Sequence, residues 1–198
     1  MLKTAIIVSR SANGGSGRGS LHGGRQRRSR GTIHANFSSQ INQSMPTIKI
    51  FVGTMYGGAL DVAEQVKPLF EDAGYDVAIF EQPTLDDLLE SPAELVLFCV
   101  STTGSGDFPG NFVPIARAIA ECHPPLTELR YGLIALGDSS YGDTFCGAGR
   151  SLDALLEEHG AQRLGERLEV DAMETFMADD AALPWVETWI DEQQLRRD

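Results

Sequence analysis

From Thr47 onward, short apolar runs alternate five times with stretches whose apolar residues recur every three or four positions. Thr47–Gly53, carrying Ile48, Ile50, Phe51 and Val52, reads as a strand. Ala59, Val62, Ala63, Val66, Phe70 and Ala73 then fall on one helical face, and Gly74 supplies a stop. Pro68 lies inside that pattern and is expected to kink the helix or confine its last turn, because proline has no amide hydrogen to give. Asp76–Glu81 reads as a second strand. A connection with a short helix around Leu85–Leu89 leads to Leu95–Ser101, whose unbroken apolar run suits a strand buried on both faces. Phe112–Glu121 is helical, Tyr131–Leu136 a fourth strand, and Gly149–His159 a helix with Leu152, Leu155 and Leu156 inward. Glu166–Val170 is a weaker fifth strand, and Ala182–Gln194 a closing helix anchored by Trp185 and Trp189.

Alternation of this kind predicts an α/β fold: a doubly wound parallel sheet of five strands, joined by right-handed crossovers, with helices on both faces. In such sheets ligands sit beyond the carboxyl ends of the strands, where the winding reverses. The loops after strands one, three and four are therefore where function is expected.

Charge changes the picture of the first 44 residues. They hold seven Lys or Arg and no acid, whereas from Met45 onward nine bases face 28 acids, a balance of −19. The segment from Ser9 to Ser44 is rich in Gly, Ser, Arg and Asn and carries too few large apolar residues to offset the entropy of ordering, so disorder is expected there. Three origins fit it: a non-native leader ahead of an original start at Met45, an organellar presequence, or a nucleic-acid-binding arm around Arg25-Gln26-Arg27-Arg28. The chain thus divides into a basic leader, 1–44, and one acidic domain, 45–198. So acidic a domain repels nucleic acid and anionic lipid and favours basic protein partners. No apolar run approaches the roughly 20 residues of a membrane span. Three scattered cysteines, Cys99, Cys122 and Cys146, suit a reducing, cytoplasmic setting better than a disulfide framework or a zinc site. Cys99 and Cys122 read as a core residue and a helix-end thiol, and His123 and His159 as helix-end residues.

The three loops are unusual. After strand one comes Gly53-Thr54-Met55-Tyr56-Gly57-Gly58-Ala59, small residues entering a helix, where amides and the helix dipole can hold an anion. It lacks the lysine of a nucleoside-triphosphate loop, so a terminal monophosphate held by amides and the Thr54 hydroxyl fits better; a plain strand-to-helix turn would look the same. After strand three comes Ser101-Thr102-Thr103-Gly104-Ser105-Gly106-Asp107, whose glycines allow a peptide to reorient. After strand four comes a loop from Gly137 to Gly149 with Tyr141 placed to stack on a flat ring.

Taken together, the Gly53–Ala59 loop, the Ser-Thr-Thr-Gly-Ser-Gly-Asp stretch, and Leu136-Gly137-Asp138-Ser139-Ser140-Tyr141 with Phe145-Cys146-Gly147 resemble the flavodoxin family. The resemblance spans Thr47 to Gln194 and is strongest toward short MioC-type flavodoxins and the FMN domains of sulfite reductase and cytochrome P450 reductase. It implies the family's strand order, 2-1-3-4-5, and FMN as cofactor. By resemblance, Thr54, Met55, Tyr56, Gly57, Gly58 and Ala59 hold the phosphate. Ser101, Thr102, Thr103 and Gly104, with Gly106 in the same loop, line the isoalloxazine ring, and the Gly104 carbonyl meets the flavin N5 hydrogen. Tyr141 stacks on the outer ring face, while Leu136, Gly137, Asp138, Phe145 and Cys146 follow the ring edge and ribityl chain. Asp107 and Asp171 stand at the periphery. The sequence departs from these relatives in Tyr56 and Gly58, where many use hydroxyl residues, in Thr103, where P450 reductase has a second tyrosine, and in one extra residue between Tyr141 and Phe145.

The expected function is single-electron transfer between a reductase and an acceptor enzyme, both with basic docking surfaces, by a carrier that needs no catalytic acid–base pair of its own. The alternative is an FMN-dependent NAD(P)H oxidoreductase of the quinone or nitro reductase type. A receiver-type regulatory domain has the same winding, but it wants paired acids after strand one and an acceptor aspartate after strand three. Gly53-Thr54 and Ser101-Thr102 stand in those places.

Overall fold

The computed structural model describes residues 45–90 and 95–197, all within one unit, Asn42–Asp198. The expectations for residues 1–44 lie outside the described residues.

β1 (Thr47–Gly53), β2 (Asp76–Phe80), β3 (Leu95–Ser101) and β4 (Arg130–Gly137) form a parallel sheet in the order β2-β1-β3-β4. The expected fifth strand, Glu166–Val170, is corrected in detail. The fifth position is filled by two short pieces, β5 (Gln162–Arg163) and β6 (Leu168–Asp171), which both run parallel to β4. Between them the chain leaves the sheet, and Arg163 and Arg167 turn onto the buried Asp153 carboxylate, with Arg167 Nη1 2.6 Å from Oδ2. Tyr131 donates its hydroxyl to the other oxygen at 2.7 Å. The five-position order 2-1-3-4-5 is the one expected.

Helices cover both faces. α1 (Gly58–Asp72) and α5 (Ala178–Glu192) pack on one face, and α3 (Val113–Cys122) and α4 (Gly147–Glu158) on the other; α2 (Leu85–Leu89) is a single turn. The central strands are apolar at almost every position because both their faces are covered. Lys49 is the buried exception on β1; its ammonium donates to the carbonyls of Asp87 and Glu90, the latter at 2.8 Å, and so closes the end of α2. Burial, only partly countered by Asp87 and Glu90, lowers its pKa.

α1 continues through Pro68 for one more turn to Asp72, just short of the expected stop at Gly74. α5 begins four residues early, with Asp179 and Asp180 in its first turn, where the helix dipole favours acids. His123 and His159 close α3 and α4 and also meet each other, Nδ1 to Nε2 at 3.3 Å. His159 directs Nδ1 at the Leu155 carbonyl (2.8 Å), so its Nε2 accepts from His123. Trp189 is buried and donates Nε1–H to the Leu164 carbonyl, while Trp185 is half-buried against it, with ring centroids 5.5 Å apart. Among the described residues, no helix is long and apolar enough to cross a membrane.

Candidate functional site

The loops after β1, β3 and β4 meet at one end of the sheet around a cavity of about 510 Å³. Its wall comprises Thr54, Met55, Tyr56, Gly58, Ser101, Thr102, Thr103, Gly104, Leu136, Gly137, Asp138, Tyr141 and Thr144. Twelve of these are residues singled out from the sequence; Thr144 is the addition.

The loop after β1 is fixed by few hydrogen bonds. The Thr54 amide donates to Asn111 Oδ1 at 3.0 Å, and the Gly57 amide donates to Thr54 Oγ1 at 2.9 Å. Gly57 turns the chain into α1 at φ +97°, where a side chain is strained, and open space lies where its Cβ would be. The amides of Met55, Tyr56 and Gly58 have no protein partner among the described residues. They border the cavity at the positive end of a 15-residue helix. Thr54 Oγ1 accepts within the loop and keeps its own hydrogen to donate. Unpaired amides, a free hydroxyl and a helix N-terminus make a cradle for a phosphate-sized anion, with no lysine or arginine on the wall.

The loop after β3 closes on itself. Thr103 and Asp107 exchange both backbone hydrogen bonds (2.9 and 2.7 Å) around Gly104-Ser105-Gly106. Gly104 sits at φ +54°, and the Ser105 amide donates to Asp107 Oδ2 at 3.2 Å. A reorientation of the Gly104–Ser105 peptide would move that amide and the Gly104 carbonyl together, so the Asp107 carboxylate favours one of the two orientations. Asp107, peripheral by expectation, is a brace for this loop.

The loop after β4 is a 3-10 turn, Ser139–Thr144, capped by Asp138, whose Oδ1 accepts from the Ser140 amide at 2.8 Å. Asp171, at the end of β6, accepts from the amides of Ser139 and Met173, both at 3.0 Å. These hydrogen bonds hold its carboxyl below the ordinary aspartate range. Tyr141 projects from this turn with 66% of its surface exposed, and Tyr56 across the cavity rim with 93%. One end of the cavity thus suits an anion and the other a flat aromatic ring.

Five of the residues singled out from the sequence stand behind the wall. Gly57 shapes the first loop from outside the cavity, and Gly106 packs toward Thr144 and Gly147. Ala59 is buried in the core, and Phe145 packs beside Gly137. Cys146 is fully buried, with its thiol 3.4 Å from the Ala135 carbonyl. Burial first, then the Glu169 carboxylate, pushes that thiol up to about 12, so it is not a thiolate at neutral pH. Sequence reasoning missed Thr144 and Asn111. Neither carries a motif signal, and their roles depend on loops that meet only in the fold.

A sequence model of the flavodoxin family matches residues 50–185. This chain belongs to the flavodoxin family. It is 48% identical to flavodoxin YqcA of Pectobacterium carotovorum subsp. carotovorum over 147 residues, covering 74% of this chain and 97% of that one. It is 37% identical to the protein MioC of Escherichia coli K12, again over 74% of this chain and 97% of the relative. Among solved structures it is similar to the C101S mutant of a flavodoxin from Pseudomonas aeruginosa, at 35% identity and a TM-score of 0.68, covering 77% of this chain and 99% of that one. The short-chain resemblance read from the loops therefore holds, and it extends to YqcA as well as MioC. Flavodoxins are electron-transfer proteins that bind FMN and exchange electrons with redox proteins.

Proposed function

We propose that this flavodoxin holds FMN in the cavity between its three loops and carries electrons singly from a reductase to an acceptor enzyme. The observation that carries the reading is the cradle after β1: amides of Met55, Tyr56 and Gly58 without protein partners, beside a free Thr54 hydroxyl, at a helix N-terminus. A terminal phosphate satisfies these donors, and the absence of a lysine on the wall suits one phosphate better than three. The cavity volume of about 510 Å³ lies within the range of ordinary cofactor sites.

When bound, FMN supplies one- and two-electron redox chemistry. The protein positions the ring and sets the field around it. Tyr141 would cover the outer face of the ring, and Thr103, a smaller residue than a tyrosine, would leave the other face less covered. Ser101, Thr102, Leu136 and Gly137 shape the floor, and Asp138 keeps the Tyr141 turn in place through Ser140. The Gly104 carbonyl has no protein partner among the described residues, and from the loop closed by Thr103 and Asp107 it would be free to accept a hydrogen bond from the ring. The excess of acids disfavours further negative charge in the site, and it steers the domain toward partners with basic docking surfaces. We place the carrier in the cytoplasm, where its three free cysteines stay reduced.

Stopped-flow mixing tests the carrier against the NAD(P)H-enzyme alternative. The FMN-loaded protein, photoreduced under argon, is expected to reduce the basic acceptor cytochrome c quickly, with a rate that falls as salt is added. NADH or NADPH alone is expected to leave the oxidised flavin unbleached. Rapid bleaching by either nucleotide would instead mark an oxidoreductase.

A further inference from the structure

Asn111 sits on no motif, yet its side chain joins three separate pieces of chain at the carboxyl edge of the sheet. Its Oδ1 accepts the Thr54 amide at 3.0 Å. Its Nδ2 donates to the carbonyls of Val52 in β1, at 2.9 Å, and of Glu81 just after β2, at 2.8 Å. One carboxamide therefore uses both of its hydrogens and one lone pair at once. No other side chain of this length does the same: an aspartate has nothing to donate, and a serine has one hydrogen for two carbonyls.

Asn111 belongs to the connection between β3 and α3, whereas the groups it ties belong to β1, the loop after it, and the end of β2. It draws the Thr54 amide away from the cavity at the point where the chain leaves β1. Thr54 in turn holds the Gly57 amide at 2.9 Å. These two bonds consume the amides of Thr54 and Gly57 and leave those of Met55, Tyr56 and Gly58 for a ligand.

We infer that Asn111 is the positioning residue of the phosphate cradle: it fixes the loop after β1 in its anion-binding shape before any ligand arrives. Pre-ordering the loop removes the cost of ordering it on binding, so the affinity for the phosphate moiety depends on Asn111. This assignment rests on the reading that the site takes FMN, and deepens it.

The test uses the full chain, with Asn111→Ala removing all three bonds and Asn111→Asp keeping only the acceptor. Two readouts are needed: affinities for FMN and for riboflavin, which lacks the phosphate, and backbone amide exchange without ligand. Asn111→Ala is expected to weaken FMN about tenfold while changing riboflavin by less than about twofold. Asn111→Asp is expected to weaken FMN further, because a carboxylate then stands beside the cradle, and added salt shrinks that excess. In the free protein, exchange speeds up at Thr54 and Gly57, the two amides whose bonds hold the loop, while β1 and β3 stay protected. Equal weakening of FMN and riboflavin, or no weakening of either, overturns the assignment. So does faster exchange spread over the whole sheet, which would make Asn111 a general structural bond. If the unaltered protein binds neither flavin, the FMN reading falls, and the exchange pattern alone decides whether Asn111 orders the loop.

Discussion

Two polar regions of this domain behave in opposite ways. At the β4–β6 edge a network of charges answers itself: Asp153 takes Tyr131, Arg163 and Arg167, and Glu169 takes Arg150 and Arg167. At the carboxyl end of the sheet, amides of the loop after β1 have no protein partner, a glycine stands at φ +97°, and Tyr56 and Tyr141 stand out into solvent. The first region spends its polarity on itself and is structural. The second leaves hydrogen-bonding capacity and aromatic surface unused, which is how a ligand site differs from a stabilising network.

The largest expected effect lies at the edge. Asp153→Ala leaves Arg163, Arg167 and the Tyr131 hydroxyl without their shared acceptor, and about 3–5 kcal/mol of stability is lost. Urea unfolding measures it, and FMN affinity of the folded fraction stays unchanged if the two regions are independent. The converse comes from Gly57→Val, whose side chain meets open space but forces a strained φ. That change lowers FMN affinity on the order of a hundredfold through misplaced amides while costing only about 1–3 kcal/mol of stability. A Gly57→Val protein that bound FMN normally would remove the cradle from the account.

Glu169 gives a pH-dependent version of the same contrast. Arg150, forked onto it at 2.9 and 2.8 Å, holds its carboxyl down to about 2, with Arg167 adding to the effect. A folded pKa below the unfolded value stabilises the protein above the unfolded pKa, and this stabilisation is lost as pH falls through the folded one. Stability is therefore expected to drop between about pH 4.5 and 2, by on the order of 2 kcal/mol from this group. Glu169→Gln flattens that part of the profile, as acid titrations in fixed urea would show. The smallest effect is at Tyr141, where replacement by alanine removes one stacking face and weakens FMN by about 1 kcal/mol with no loss of stability.

The sequence made one of these regions legible and hid the other. The strands β1, β3 and β4 stood out because both their faces are buried, so almost every position is apolar. The loops stood out through glycines that their backbone angles use, Gly57 and Gly104 among them. The ion network was invisible, because Asp153, Arg163, Arg167 and Glu169 look like ordinary surface charges until the fold stacks α4 against the edge. The same blindness hid the first piece of the fifth strand: Gln162–Arg163 is polar, and the expected piece starts at Leu168, two residues late, after the chain swings out to reach Asp153. Cys146 and Ala59 lie within motif segments yet face the core, since a motif read from neighbours does not say which way each side chain turns. Asn111 acts on Thr54, 57 residues away, where no periodic pattern reports it, and Thr144 reaches the cavity wall from within the Tyr141 turn, donating to the Tyr141 carbonyl.

The most direct test of the central claim is the visible absorption spectrum of the purified protein after mixing with excess FMN and desalting. Flavin bands are expected to stay with the protein at about one FMN per chain, and Gly57→Val is expected to lose them while remaining folded. A folded protein that elutes colourless would contradict the claim, because the unpaired amides after β1 would then have some other use.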